Sequence, residues 1–268
     1  MVKPIDFHVH FFPESIAGKV VDFLAAHYNI PVNYRGLKEE YLQLARAASI
    51  RAAVFSTAAT RPHQVKAANN WAIANKGNGL VPFGTLHPYA GDAEIDAELA
   101  RLRAAGIRGI KLHPDFQCFN LDEDRAMSLY ERLVPDLILL THVGDDEVSH
   151  KINHATPEQL SRVLDLFPGL TVVAAHMGGY QMWRRAMDAL VGKDVFFDTS
   201  STLDFLPDKD FVQMIREHGV HKILFGSDYP FRDPGWEVCR LSKVRLGADD
   251  LEAILYHNGR RLLARIGL

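Results

Sequence analysis

Cysteine is scarce in this chain of 268 residues: Cys118 and Cys239 are the only two, far apart and without the close spacing of a metal knuckle. Neither a disulfide framework nor a cysteine-bound zinc site is expected, and a reducing interior suits such a chain. Charge of one sign is missing as well. The 30 Lys and Arg residues against 33 Asp and Glu give a formal net charge of −3, and no block of consecutive basic residues occurs. That composition argues against a nucleic-acid partner or an anionic membrane surface. No apolar run approaches the ~18–20 residues that span a bilayer, and MVKPIDFHVH enters a strand-like run without a basic leader and apolar signal core. The expectation is a soluble, cytoplasmic protein. Low-complexity segments, proline-rich linkers and charge blocks are also lacking, so residues 1–268 read as one domain, in keeping with single α/β barrels of about 250 residues.

What the chain does contain is alternation. Short apolar runs, PIDFHVH, RAAVFST, LVPFGTL, IRGIKLH, LILLTHV, TVVAAHM, DVFFDTS and KILFGSD, read as strands. Between them lie segments of helical spacing, among them DAEIDAELARLRAAG, EDRAMSLYERLV, TPEQLSRVLDLF and DKDFVQMIREHG. Asp92, Asp122 and Thr156 are candidate N-caps, the last followed by Pro157 at the favoured first helical position. Near the C-terminus, Asn258-Gly259 reads as a break between two helices.

Eight strands alternating with helices fit either a closed (β/α)8 TIM barrel or an open doubly wound sheet. Neither GxGxxG nor GxxxxGK is present, whereas ligand-type residues stand at the carboxyl ends of strands one, four, five, six, seven and eight. Polar residues gathered around one mouth favour the barrel.

His8 and His10 are two residues apart on a strand, so their side chains point the same way and can share one ion. His142 ends strand five, His176 strand six and Asp228 strand eight, each after an apolar run where an isolated ionisable group would be costly. Neutral imidazoles with a carboxylate suit Zn²⁺, and also Mn²⁺, Fe²⁺ or Co²⁺. An ion so held lowers the pKa of water toward ~7, and the site then needs a proton acceptor.

The order DFHVHFFP, GIKLHP, THVG, AHMGG, FDTS, FGSDYPF, closing in ILYHNGRRLL, resembles the amidohydrolase superfamily over essentially the whole chain. The resemblance is greatest to the branch that joins small metal-dependent hydrolases with decarboxylases of aminocarboxymuconate semialdehyde and aromatic acids. It implies a distorted barrel with a metal at its carboxyl-end mouth. By that resemblance His8, His10 and His142 are ligands, and Asp228 is both ligand and proton carrier. His176 either orients water and polarises a carbonyl or binds a second ion. Lys111 stands where two-metal members carry a bridging carboxylated lysine; as an ordinary ammonium it would instead bind a substrate carboxylate or pair with Asp115.

Lys111, His113, Arg61 and Arg232 are the candidate contacts to a substrate carboxylate, although surface arginines are commoner than clamps. Asp198, Thr199 and Ser200 end strand seven as support for the site or as a helix cap; Gly178 and Gly179 serve close ligand approach or a turn. The expected activity is metal-dependent hydrolysis of a small ester, lactone or amide, with the compact chain tilting against the alternative, a metal-dependent non-oxidative decarboxylase (a lyase). A non-catalytic metal-binding barrel is the remaining rival. A homodimer is compatible with a barrel of this size, but no segment specifies an interface.

Overall fold

The computed structural model describes residues 2–146 and 153–267. All eight expected strands form, the third in two pieces: β1 (Ile5–Val9), β2 (Ala52–Phe55), β3 (Leu80–Pro82), β4 (Gly84–Thr85), β5 (Gly109–Leu112), β6 (Ile138–Thr141), β7 (Thr171–Ala174), β8 (Phe196–Asp198) and β9 (Ile223–Leu224). Every neighbouring pair is parallel, in the order β1-β2-β3 and β4-β5-β6-β7-β8-β9. Pro82, which has no N–H to give the ladder, precedes the one-residue interruption at Phe83, and the Phe83 amide still reaches Phe55 O at 2.9 Å.

The first and last strands meet through a few backbone bonds rather than a ladder. Phe7 N donates to Phe225 O at 2.7 Å, Asp228 N to His8 O at 2.8 Å and His10 N to Tyr229 O at 2.7 Å. The result is the distorted (β/α)8 barrel that the resemblance implies and the polar strand ends favour over an open sheet.

Side-chain alternation sorts each strand into two layers. Ile110 and Leu112 of β5, Leu139 of β6 and Val172 and Ala174 of β7 pack outward against the helices. Ile138, Leu140, Val173, Phe196 and Leu224 join Ile5, Phe7, Val54 and Phe83 in a second apolar cluster with Leu262 and Leu263. The parity of β5 therefore leaves Lys111 pointing inward, as does that of β6 for His142.

Helix starts follow local chemistry. Thr156 caps Pro157–Leu166, its hydroxyl accepting from Gln159 N at 3.3 Å, as expected. Asp92 and Asp122 do not cap. Asp92 is the first residue of Asp92–Ala104 behind Gly91, and Glu123 precedes Asp124–Glu131, while the Asp122 carboxylate pairs with Arg162. Asn258-Gly259 is not a break either: the helix widens into a π turn over Ala253–His257 and continues as Asn258–Arg265. There the buried Asn258 amide donates to Val220 O and Ile223 O, and Gly259 lies close against Ile5 and Phe7, where a Cβ would just touch. Among the described residues no helix is long and apolar enough to cross a membrane.

Candidate metal centre

The carboxyl end of β1 carries His8 and, one residue beyond the strand, His10. A register shift between Asp6 and Val9 accompanies their convergence: the two Nε2 atoms stand 3.0 Å apart. Asp228 Oδ1, beyond β9, lies 3.7 Å from His8 Nε2 and 3.6 Å from His10 Nε2. Ligands 2.0–2.2 Å from one ion are expected about 3–3.6 Å from each other, so these three atoms have the spacing of a shared cation.

The far side of each ring fixes which nitrogen faces that point. His8 Nδ1 lies 2.9 Å from Asp198 Oδ2, and His10 Nδ1 lies 2.8 Å from the Ser56 carbonyl. Carboxylate and carbonyl oxygens only accept, so both Nδ1 atoms carry hydrogen and both Nε2 atoms present lone pairs. Two lone pairs facing each other beside a carboxylate repel unless a cation lies between them. The donor set thus fits a divalent ion. Burial above all, then the charges of His8 and Lys111, lowers His10 to about 3, which keeps it neutral. Burial by itself would raise the Asp228 carboxyl, but His8, His176, His10 and the Ser201 hydroxyl outweigh it and hold the pKa low.

Two strand-end histidines complete the surroundings. His142 is buried, and its Nε2 has no hydrogen-bond partner among the described residues. Its ring stacks on His113 at 4.2 Å and meets His176 edge-on at 5.1 Å. By close spacing of donor atoms His142 groups with His113 and Asp146 rather than with His8, His10 and Asp228. Planes only 9° from parallel cannot both contain one ion, so stacked His113 and His142 do not form a second cage. His176 packs on His8 at 5.2 Å, with Nδ1 3.1 Å from Ser200 O; burial lowers it to about 4. Lys111 Nζ is 3.2 Å from His8 Nε2, and burial lowers this amine to about 8.

The backbone around the site is strained. His176, Met177, Ser201 and Asp228 have φ of 59°, 54°, 46° and 62°, left-handed conformations that cost non-glycine residues roughly 1–3 kcal/mol each. Gly226 supplies room: a Cβ there would stand 2.9 Å from His8 Cβ. Gly178 and Gly179, by contrast, serve turning and packing, since their missing Cβ atoms would meet Phe197 and Ala186.

A cavity of about 850 Å³ opens over these groups. His8, His10, Lys111, His113, His142, His176 and Asp228 all line it, and Arg61 reaches its rim. Arg232 does not line it; its guanidinium pairs with Asp204 at 2.7 Å and lies over Trp236. Several participants had no sequence signal of their own. Ser201 donates to Asp228 Oδ2 at 2.5 Å, while Tyr28 donates to Asp146 Oδ1 at 2.9 Å and His27 Nε2 is 3.0 Å from Asp146 Oδ2. The doubled acidic residues of THVGDD were the only hint of Asp146.

A barrel with histidines and an aspartate converging at its carboxyl-end mouth defines a metal-dependent enzyme built for a divalent ion. The chain belongs to the amidohydrolase family, whose sequence pattern matches residues 5–265. Among solved structures it is similar to a TIM-barrel protein of uncharacterized function from Bordetella bronchiseptica (21% identity, all of both chains, TM-score 0.78). It is also similar to a dihydroxybenzoic acid decarboxylase from Polaromonas sp. JS666 with bound manganese and the inhibitor 2-nitroresorcinol (16% identity, 98% of this chain and 97% of that one, TM-score 0.73). A candidate 2-pyrone-4,6-dicarboxylic acid hydrolase from Pseudomonas putida matches at 18% identity over 99% and 98% of the two chains, with a TM-score of 0.65. Identities this low establish the shared fold. No curated protein matches the sequence significantly.

Proposed function

We propose that the protein is a metal-dependent hydrolase of a small ester, lactone or amide that carries a carboxylate. The observation that supports it most is the placing of Asp228, with one oxygen turned to the histidine pair and the other held by Ser201, at the floor of a cavity. His8, His10 and Asp228 would hold the ion, and His142, which lines the same cavity outside that closely spaced trio and has an orphaned Nε2, is the candidate further ligand. When bound, a divalent ion supplies Lewis acidity that polarises a carbonyl and acidifies water. Asp228, ionised at neutral pH, accepts the proton of the attacking water at its carboxylate and returns it to the leaving oxygen or nitrogen. Neutral His176, with Nδ1–H turned to Ser200 O, presents the Nε2 lone pair, which accepts a hydrogen bond from the attacking water and orients it, and Lys111 Nζ attracts the substrate carboxylate.

A second reading, non-oxidative decarboxylation with Asp228 protonating carbon, draws support from the apolar wall of the cavity, where Phe12, Leu24, Phe116 and Phe231 strip water from a carboxylate. The named decarboxylase among the structural neighbours points the same way. A manganese- and zinc-loaded preparation given lactones, esters, amides and aromatic acids, with released acid and carbon dioxide both measured, separates the two. Acid release without carbon dioxide supports hydrolysis; carbon dioxide alone overturns it. In either case Asp228→Asn should lower turnover by a factor of about 10³ or more while the folded spectrum persists, and unchanged turnover would remove Asp228 from the chemistry.

A further inference from the structure

The cavity is larger and more apolar than its floor requires. Its outer wall comes from two helices. Ile16, Val20, Phe23 and Leu24 of Glu14–Tyr28 fall on one face by i, i+4 and i, i+7 spacing, and Ala67, Ala68 and Trp71 of Val65–Ala74 present a second. Phe23 and Ile16 are 56% and 45% exposed, although both are large and apolar. Their helix has a buried side of its own, Ala17, Val21 and Leu24, so these two residues are surplus to its anchoring. At about 850 Å³ the cavity reaches the upper part of the ~300–1,000 Å³ range that encloses drug-sized ligands, and a one-ring acid on the floor would leave this wall wet.

We infer that the wall formed by Ile16, Val20, Phe23 and Trp71 is a subsite for an extended apolar chain, aliphatic or aryl-alkyl, attached to the carboxylate end of the substrate. The inference rests on the reading of the floor as the reacting site. Wall and floor are continuous within one concavity, and the cationic Lys111 lies at the deep end, so the charged head points inward and the chain outward. Lys19 and Arg61, both exposed, flank the outer end without an ion pair among the described residues and keep the entrance hydrated.

Isothermal titration of the manganese-loaded protein with ω-phenylalkanoic acids of increasing length tests this without requiring turnover. Affinity should tighten about two- to fourfold per added methylene until the wall is covered, the upper value corresponding to full burial at ~0.8 kcal/mol per CH₂. Phe23→Asp, a change at an exposed position, should flatten that dependence, and Val20→Asp should do so from a second point on the same face. Affinity independent of length, or a length dependence untouched by both variants, overturns the subsite. A wild-type dimer that Phe23→Asp dissociates, with flat length dependence, assigns the face to a second copy instead. Steep length dependence in a protein that turns over no ester, lactone, amide or aromatic acid leaves the subsite standing and removes the reaction.

Discussion

Asp198 holds His8 from behind, with Oδ2 2.9 Å from Nδ1, and this contact decides that Nε2 is the atom offered to the cavity. Burial alone would raise the Asp198 carboxyl, yet His8, His176 and Ser200 bring it below the usual carboxylate range, so it stays ionised and accepting. Asp198→Asn keeps the shape and loses the negative charge. Metal affinity should fall roughly 10–100-fold, as for other carboxylates behind a ligating histidine, with little change in the folded spectrum. Titration with a competing chelator measures it; equal affinity in both proteins would reduce Asp198 to a packing residue.

Gly226 marks where backbone must pass His8, a ligand of the proposed centre. With a Cβ 2.9 Å from His8 Cβ, 3.3 Å from Ser200 Cβ and 3.5 Å from Asp198 Cβ, Gly226→Ala has no flexible neighbour to displace. Overpacking of this kind typically costs about 1–3 kcal/mol, and here the displaced group is a proposed ligand. Lower stability in urea and weaker metal binding should arrive together. A variant that lost neither would show that β1 and β9 yield freely.

Glu237 is buried, with Oε2 unpartnered among the described residues, and burial first, then Asp204, raises its carboxyl to about 9. A carboxyl raised in the folded state contributes stability that is fully present below its unfolded pKa near 4.5 and is lost as pH rises toward 9. Glu237→Gln removes this dependence. The variant should be more stable than wild type at pH 8 by an amount on the order of 2 kcal/mol, with the gap closing near pH 4.5. Denaturant midpoints across pH 4.5–9 follow it, and parallel curves for the two proteins would refute the assignment.

Removing divalent ions should loosen the protein, because the facing lone pairs of His8 and His10 then keep only the Lys111 amine beside them as positive charge. Ion at 100 times its Kd adds about 2.7 kcal/mol to the folded state, which for a chain of this size corresponds to roughly 5–10 °C in Tm. Scanning calorimetry with chelator, then with manganese or zinc restored, should show the loss and its recovery. Identical melting under all three conditions would leave the donor set without an ion to hold.

Much of this was legible in the residues alone. Apolar runs ending in His8, His142, His176 and Asp228 announce strands with functional ends, since an ionisable group after a buried run requires a partner. The inward aim of Lys111 follows from the outward packing of Ile110 and Leu112 on either side. Other features depend on where the chain travels between strands. Phe23 and Trp71 are ordinary apolar residues of amphipathic helices until tertiary packing leaves them facing a cavity. Arg232 follows Asp228 closely in sequence, but Asp204 and Trp236 draw it aside. Asn258-Gly259 looks like a stop because both residues favour turns; the carbonyls of Val220 and Ile223 and the close approach of Ile5 favour continued helix instead.

The donors come from opposite ends of the polypeptide: His8 and His10 lie within its first ten residues, Asp228 beyond its last strand, and between them the barrel wall is stitched by only a handful of amide bonds. An ion held from both sides would work there as a rivet across a seam. Without it the backbone bonds of that seam would hold the wall alone, so loss of the cation and the first parting of the wall are expected together.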